Sequence, residues 1–225
     1  MRRRLEKLER EQAVERERTR IAKDIHDDLG ASLTRITMLS QSARGEAELP
    51  EPAAKSLDRI FGTARELTRA MDEIVWAVNP RHDTLNSLAN YLSRFAYDFL
   101  SAAEIRCRLD VPLHLPAQPV AAEVRHNLFL AFKEALNNVV KHAAAREVRV
   151  EMKLEQETIS LLVADDGRGF NPGHAHDELP ATGRLAPGMG LANMKRRLTE
   201  IGGTCEIRSE LGRGTDVKFS VPLRG

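Results

Sequence analysis

Three short stretches of this sequence stand out, two for their glycines and one for its run of polar side chains. In "VADDGRGF" an acid leaves an apolar run and is followed by Gly167 and Gly169. A buried carboxylate can only accept hydrogen bonds, so it suits an exocyclic amine such as that of adenine. In "PGMGLANM" Gly188 and Gly190 open a helix-like pattern, and the N-terminal amides of a helix receive phosphate. "EALNNVVKHA" puts Glu134, Asn138, Lys141 and His142 on neighbouring helical turns. A carboxamide oxygen can hold Mg²⁺ alongside phosphate oxygens, and a lysine neutralises phosphate charge. Each signal alone is weak, since a lone Gly-x-Gly is usually a turn. Neither a P-loop nor a dinucleotide fingerprint is present.

Two further features carry histidine. In "RIAKDIHDDLGASL" His26 is flanked by Asp24, Asp27 and Asp28. By itself this is also what an ordinary exposed helix histidine looks like. "FNPGHAHDELPATGRLAP" lies between the "DDGRG" and "GMG" clusters and has no apolar period. A stretch of that length inside a compact domain is expected to be either disordered or a cover, and its place between glycine clusters suits a ligand-site cover hinged on glycines. Its His174 and His176 make too poor a cage for a metal on their own.

The elements that must position these residues fall into two groups. From Ala22, small and apolar residues recur at Ile25, Leu29, Ser32, Ile36, Leu39 and Ala43, in steps of three and four. That is a heptad seam with Ser32 as its polar member. "RGEAELPEP" breaks it, and it resumes at Leu57, Ile60, Ala64, Leu67, Met71, Ile74 and Val78 until Asn79-Pro80. This predicts a helical hairpin with His26 one residue past the seam, reaching solvent. Two stripes make a thin core, so a partner hairpin completing a dimeric four-helix bundle is the economical remedy.

After Pro80, "TLNSLANYLSRFAYDFLSAA" reads as an amphipathic helix and "IRCRLDVP" as a strand. "AAEVRHNLFLAFKEALNNVVKHA" is a long helix with Val124, Leu128, Ala131, Ala135 and Val139 on one side. "EVRVEMKLE" and "TISLLVADD" form a hairpin around Gln156-Glu157, and "TCEIRSELGRGTDVKFSVPL" forms another turning at "ELGRGT". The fold class is α+β: one mostly antiparallel sheet with helices on one face, following the hairpin. The expected domains are 1–80, with a charged coiled entry and the hairpin, and 81–225.

Composition narrows the class without naming it. With 34 basic and 33 acidic residues the net charge is +1, so nothing favours direct binding of nucleic acid. Cys107 and Cys205 have no metal-ligand spacing and read as reduced thiols of a cytoplasmic protein. No apolar run is long enough to span a membrane. Arg2, Arg3 and Arg4 also suit a segment just inside a membrane anchor, so the chain is read as cytoplasmic or as the cytoplasmic part of an anchored sensor.

The order of the pieces is more specific than any of them. "EALNNVVKHA", "DDGRGF", a cover, "GMGLANM" and "GRGT" resemble the N, G1, G2 and terminal glycine boxes of the GHKL ATP-binding fold. Preceded by "RIAKDIHDDLGASL", the chain is similar to two-component sensor histidine kinases of the H-[DE] subfamily typified by NarX and DesK. The resemblance implies an ATP- and Mg²⁺-dependent kinase that phosphorylates His26 and passes the phosphoryl group to an aspartate of a response regulator. That regulator would usually carry a helix-turn-helix DNA-binding domain. Asp27 would orient the imidazole and take the Nδ1 proton, leaving Nε2 as nucleophile. Asn138 would coordinate Mg²⁺, with Glu134 in the same metal and water shell. Lys141 and His142 would approach the phosphates. Asp165 would read adenine, with Gly167 and Gly169 letting the backbone come close. Gly188 and Gly190 would shape the hinge of the cover, Leu191 would join the nucleotide-binding set, and Thr215 would back the adenine pocket.

Two features depart from a complete family member. No sensor domain is recognisable, so the input would be missing or lie upstream. Members that dephosphorylate their partner often carry Asp-x-x-x-Gln from this acid, and here Ala31 stands at the Gln position. A GHKL serine kinase would share the ATP boxes but have no use for the His-Asp hairpin. A non-catalytic relay would not need intact boxes.

Overall fold

The computed structural model describes residues 2–45, 49–171 and 189–223, and within them the side chains of the stretch around His26 and Asp27 lie outside the described set. The chain divides into two compact units, Met1–His82 and Asp83–Gly225.

In the first unit, helix α1 (Arg2–Gly45) and helix α2 (Glu51–Val78) pack against each other, and a 3-10 turn (Pro80–His82) follows. Pro50 precedes α2, and proline again occupies its first turn, where the missing N–H costs nothing. The helix ends where Asn79 turns extended ahead of Pro80, as the residue before proline must. Arg44 pairs with Asp58 across the hairpin near its turn. Farther down, a Cβ on Gly30 would stand 3.3 Å from Met71 Cε. The helices therefore meet over small or flexible residues: Ser40, Ala64, Met71 and Ala77 are buried. Thr37 and Ser40 return their hydroxyls to the carbonyls of Leu33 and Ile36, so neither leaves a polar group unsatisfied.

The seam is only partly buried by this packing. Ala64 and Met71 are enclosed, but Leu29, Ile36, Leu39, Ile60, Leu67 and Ile74 are 42–63% exposed. A shallow groove lined by Leu33, Ile36, Ile60, Ala64 and Leu67 runs along this side.

The second unit opens with helix α3 (Leu85–Ser101), capped by Thr84, whose hydroxyl accepts from Ser87 N–H at 3.2 Å. Strand β1 (Arg106–Asp110), helix α4 (Ala122–Asn138) with a π-helical turn (Val139–Ala143), strands β2 (Glu147–Glu155) and β3 (Thr158–Asp165), helix α5 (Met189–Glu200), and strands β4 (Thr204–Glu210) and β5 (Gly214–Pro222) complete it. The five strands lie in the order β1-β2-β3-β5-β4. The β1–β2 pairing is parallel and the others antiparallel. The β2–β3 hairpin turns on Gln156 and Glu157, both at positive φ, as a tight two-residue turn requires.

Alternation along the strands buries one face. Val148, Val150 and Met152, then Ile159, Leu161 and Val163, then Val217, Phe219 and Val221 all point inward, where the helices pack. The sequence stripe on α4 understates its burial. Arg125, Asn127, Phe129, Phe132 and Leu136 are enclosed as well, because α3 and α5 pack on α4 from outside the sheet. Phe95 meets Phe129 edge-on at 5.0 Å, and Tyr91 does so at 5.1 Å. Each enclosed phenylalanine contributes about 2–3 kcal/mol by removal from water. Arg125, fully buried, pairs with Asp83 and donates to the Val120 carbonyl at 2.7 Å. It anchors the start of this unit to the segment before α4.

Candidate active site

Strand β3 alternates until Asp165, its last inward position. Asp165 is 9% exposed, and its carboxyl accepts the Gly167 N–H at 2.9 Å. Burial pushes its pKa above the ordinary aspartate value, while the N–H groups of Gly167 and Thr215 pull the other way. Its neighbour Asp166 has a different task. It accepts the N–H groups of Arg146 and Glu147 at 2.8 and 3.0 Å, which hold its pKa down. One acid of "DDGRG" faces the interior, and the other clips the loop to the start of β2.

The glycines are set by close approach. A Cβ on Gly167 would lie 2.3 Å from the Ala143 carbonyl oxygen, so no side chain fits between this loop and the end of the α4 turn. Gly169 has φ +60°, with the Glu210 carbonyl 2.0 Å from where a Cβ would sit. Arg168 N–H donates to Ala143 O, and Gly212 N–H to Arg168 O. The loop after Asp165 is thus tied to α4 on one side and to the β4–β5 turn on the other.

Helix α4 brings the remaining residues. Glu134 and Asn138 are half-buried, one turn apart, and Lys141 and His142 are exposed on the π-helical turn. That turn inserts one residue's worth of extra winding, so Lys141 and His142 are displaced from where a continuous α-helix would carry them. A Cβ on Gly190 would be 2.2 Å from Glu134 Oε1, which places the Glu134 carboxylate against the first turn of α5. Leu191 is half-buried in that same turn. Thr215 stands directly opposite Asp165 on β5.

The structure therefore gathers Glu134, Gly190 and Leu191 at one end of a strip along α4, and Gly167, Asp165 and Thr215 at the other. Asn138, Lys141 and His142 are carried along the strip. Gly188 lies outside the described residues, as do residues 172–188 with the expected cover, His174 and His176. His26 and Asp27 belong to α1 in the other unit. Among the described residues no cluster of three metal-ligating side chains occurs. The donor set fits Mg²⁺ held chiefly by a ligand's oxygens with few protein donors, and Asn138 supplies a suitable carboxamide.

Sequence reading missed Ser209, which accepts the Phe170 N–H at 2.8 Å and lies 2.9 Å from Thr215 Oγ1. Counting back across the "ELGRGT" turn pairs it with Thr215, which was the available signal. Ala143 carried no signal, because its importance lies in backbone contacts, the close approach of Gly167 and the N–H of Arg168.

Two family models match this chain: "Histidine kinase" over residues 17–83 and "Histidine kinase-, DNA gyrase B-, and HSP90-like ATPase" over residues 123–225. The chain belongs to the histidine kinases. Among curated relatives, this histidine kinase chain is 26% identical over 211 residues to the sensor histidine kinase LiaS of Bacillus subtilis, covering 93% of this chain and 55% of that protein. It is 28% identical over 218 residues to the histidine-protein kinase/phosphatase UhpB of Salmonella typhimurium, covering 96% and 40%. The chain thus spans about half the length, or less, of such relatives. Among solved structures, the blue-light activated histidine kinase of Erythrobacter litoralis EL346 aligns with TM-score 0.51 at 17% identity, covering 87% of this chain and 60% of that one. The Acinetobacter baumannii histidine kinase AdeS aligns with TM-score 0.51 at 14% identity, covering 89% and 98%. These likenesses are ones of fold.

Proposed function

We propose that this chain is the core of an ATP-dependent protein-histidine kinase of a two-component system. One observation carries this reading. A His-Asp pair lies inside the stretch that matches histidine kinases, and a buried carboxylate with glycine-only loops lies inside the stretch that matches the ATPase fold. Residues 1–80 serve as the dimerisation and phospho-acceptor domain, and residues 81–225 as the ATP-binding domain.

Asp165 and Thr215 receive the adenine amine, and Gly167 and Gly169 let the base lie against backbone. Lys141 and His142 approach the phosphates, and Gly188, Gly190 and Leu191 belong to the same nucleotide-binding set. Asn138 holds Mg²⁺, and Glu134 belongs to its water shell. When bound, the ion spreads the charge of the phosphates. Asp27 accepts the Nδ1 proton of His26 and orients the ring. Nε2 then forms a bond to the γ-phosphorus as the bond to the β–γ bridging oxygen breaks, and ADP leaves. The phosphoryl group passes to an aspartate of a response regulator, expected to carry a helix-turn-helix domain.

The exposed seam residues support a homodimer, in which a second hairpin completes a four-helix bundle. No described helix is long and apolar enough to cross a membrane, and two free cysteines suit the cytoplasm, with an upstream sensor or anchor compatible with both. With Ala31 exposed one turn beyond Asp27, no amide is available there to hold a hydrolytic water, so phosphatase activity is expected to be weak. The test is incubation with γ-labelled ATP followed by acid. Label lost in acid and stable in alkali is expected, and acid-stable label would point to a hydroxyl acceptor instead.

A further inference from the structure

Asp165, Thr215 and Ser209 form a row across three neighbouring strands. Asp165 of β3 is paired with Thr215 of β5, and Thr215 with Ser209 of β4. Directly opposed residues share a face of the sheet, here the face covered by helices. Ser209 Oγ has three partners: the Phe170 N–H at 2.8 Å, the Gly214 carbonyl at 3.0 Å and Thr215 Oγ1 at 2.9 Å.

A serine hydroxyl owns one proton and two acceptor sites. The Phe170 amide can only donate, so it takes one acceptor site. The Gly214 carbonyl can only accept, so it takes the proton. What remains on Ser209 is a single acceptor site, and among its partners in the described residues the Thr215 hydroxyl has the proton to fill it. Thr215 is then left with lone pairs alone for any other neighbour. Asp165, when ionised, also offers lone pairs alone.

We propose that Ser209 is the residue that sets nucleobase specificity at this site. By taking the Thr215 proton it turns the Asp165–Thr215 pair into an all-acceptor edge, which welcomes a ring amino group and rejects a ring oxo group. The proposal rests on the reading of this site as the adenine pocket. Ser209 acts through Thr215 and is a positioning residue. A site built to bond a substrate N–H rejects the analogue lacking it, because its own polar groups are left unpaired.

The experiment is equilibrium titration of the full chain with ATP and with inosine triphosphate, which carries an oxo group where adenine has its amine. The wild-type chain prefers ATP. Ser209→Ala frees the Thr215 hydroxyl to turn and donate, so the ATP-to-inosine preference narrows by about fivefold, the worth of one neutral hydrogen bond. Ser209→Thr keeps the hydroxyl on a strand that tolerates β-branching and restores the preference. If Ser209→Ala fails to fold, Thr215→Val decides the matter, and it too narrows the preference. A serine that only braced the β4–β5 turn would weaken both nucleotides equally. A preference for ATP that is indifferent to these substitutions therefore overturns the role of Ser209 while leaving the adenine site intact. A wild-type chain that binds neither nucleotide overturns both.

Discussion

Phe129, Phe132 and Phe219 in the α/β unit are fully enclosed, while Leu29, Ile36 and Leu39 in the hairpin are 42–63% exposed. Both units have the same kind of apolar material. They differ in whether the chain itself can cover it. A sheet with helices on one face closes around α4, whereas two helices touching over Gly30, Ser40 and Ala64 leave their larger side chains outside. An exposed row of this kind marks a surface that is completed by association. The α/β unit is accordingly expected to be self-sufficient, and the hairpin to depend on a second copy.

The largest effect should come from separating the two. Residues 83–225 alone are expected to be monomeric and to unfold cooperatively, whereas residues 1–82 are expected to be dimeric. Light scattering on both fragments checks this, and a dimeric 83–225 fragment would place the interface elsewhere. Single substitutions should then split the same way. Phe132→Ala, inside the closed core, should cost about 3–5 kcal/mol of unfolding free energy. Leu39→Ala, 63% exposed, should barely alter the α/β unit's denaturation curve but should weaken self-association, as read by sedimentation.

Asp165→Asn sharpens the contrast within the α/β unit. It should weaken ATP binding about tenfold to a hundredfold, the cost of losing a hydrogen bond to a charged group, without weakening the empty fold. Burial raises the pKa of Asp165. Its folded value therefore lies above its unfolded one, so the group binds more protons in the folded state and stability falls as pH rises through that window. The Asn variant should lose this pH dependence, which thermal melts at a series of acidic pH values will show. The smallest effect concerns Cys205, half-buried in β4, whose pKa burial raises to about 11. At pH 8 it should react with a thiol reagent roughly a hundredfold more slowly than an ordinary free cysteine, because so little thiolate is present. Unfolding should abolish the difference.

Periodicity made both helices of the hairpin and all the strands legible, down to the turns at Gln156-Glu157 and "ELGRGT", because local alternation and turn residues carry that information. It also implied that two stripes alone would leave much of the seam open, but not which seam residues would be enclosed. That depends on Gly30 and Ala64 setting how closely the helices approach. Arg125 was also invisible, since its value comes from pairing with Asp83 across more than forty intervening residues. In the site, the residue types of Asp165 and Gly167 were readable as chemistry, and Thr215 only through the family resemblance. The division of labour between Asp165 and Asp166 was not. It is decided by which of them the pleat of β3 turns inward. Ser209 stayed hidden because a serine near a turn is common, and only its three simultaneous partners distinguish it.

The central claim is that one unit binds the nucleotide and the other receives the phosphoryl group. Comparing wild type with His26→Gln tests it most directly, with γ-labelled ATP incorporation and ATP affinity measured on the same samples. The account predicts label mapped to His26 in the wild type, none in the variant, and equal ATP affinity in both. Label persisting in His26→Gln, or ATP binding lost along with it, would contradict the account.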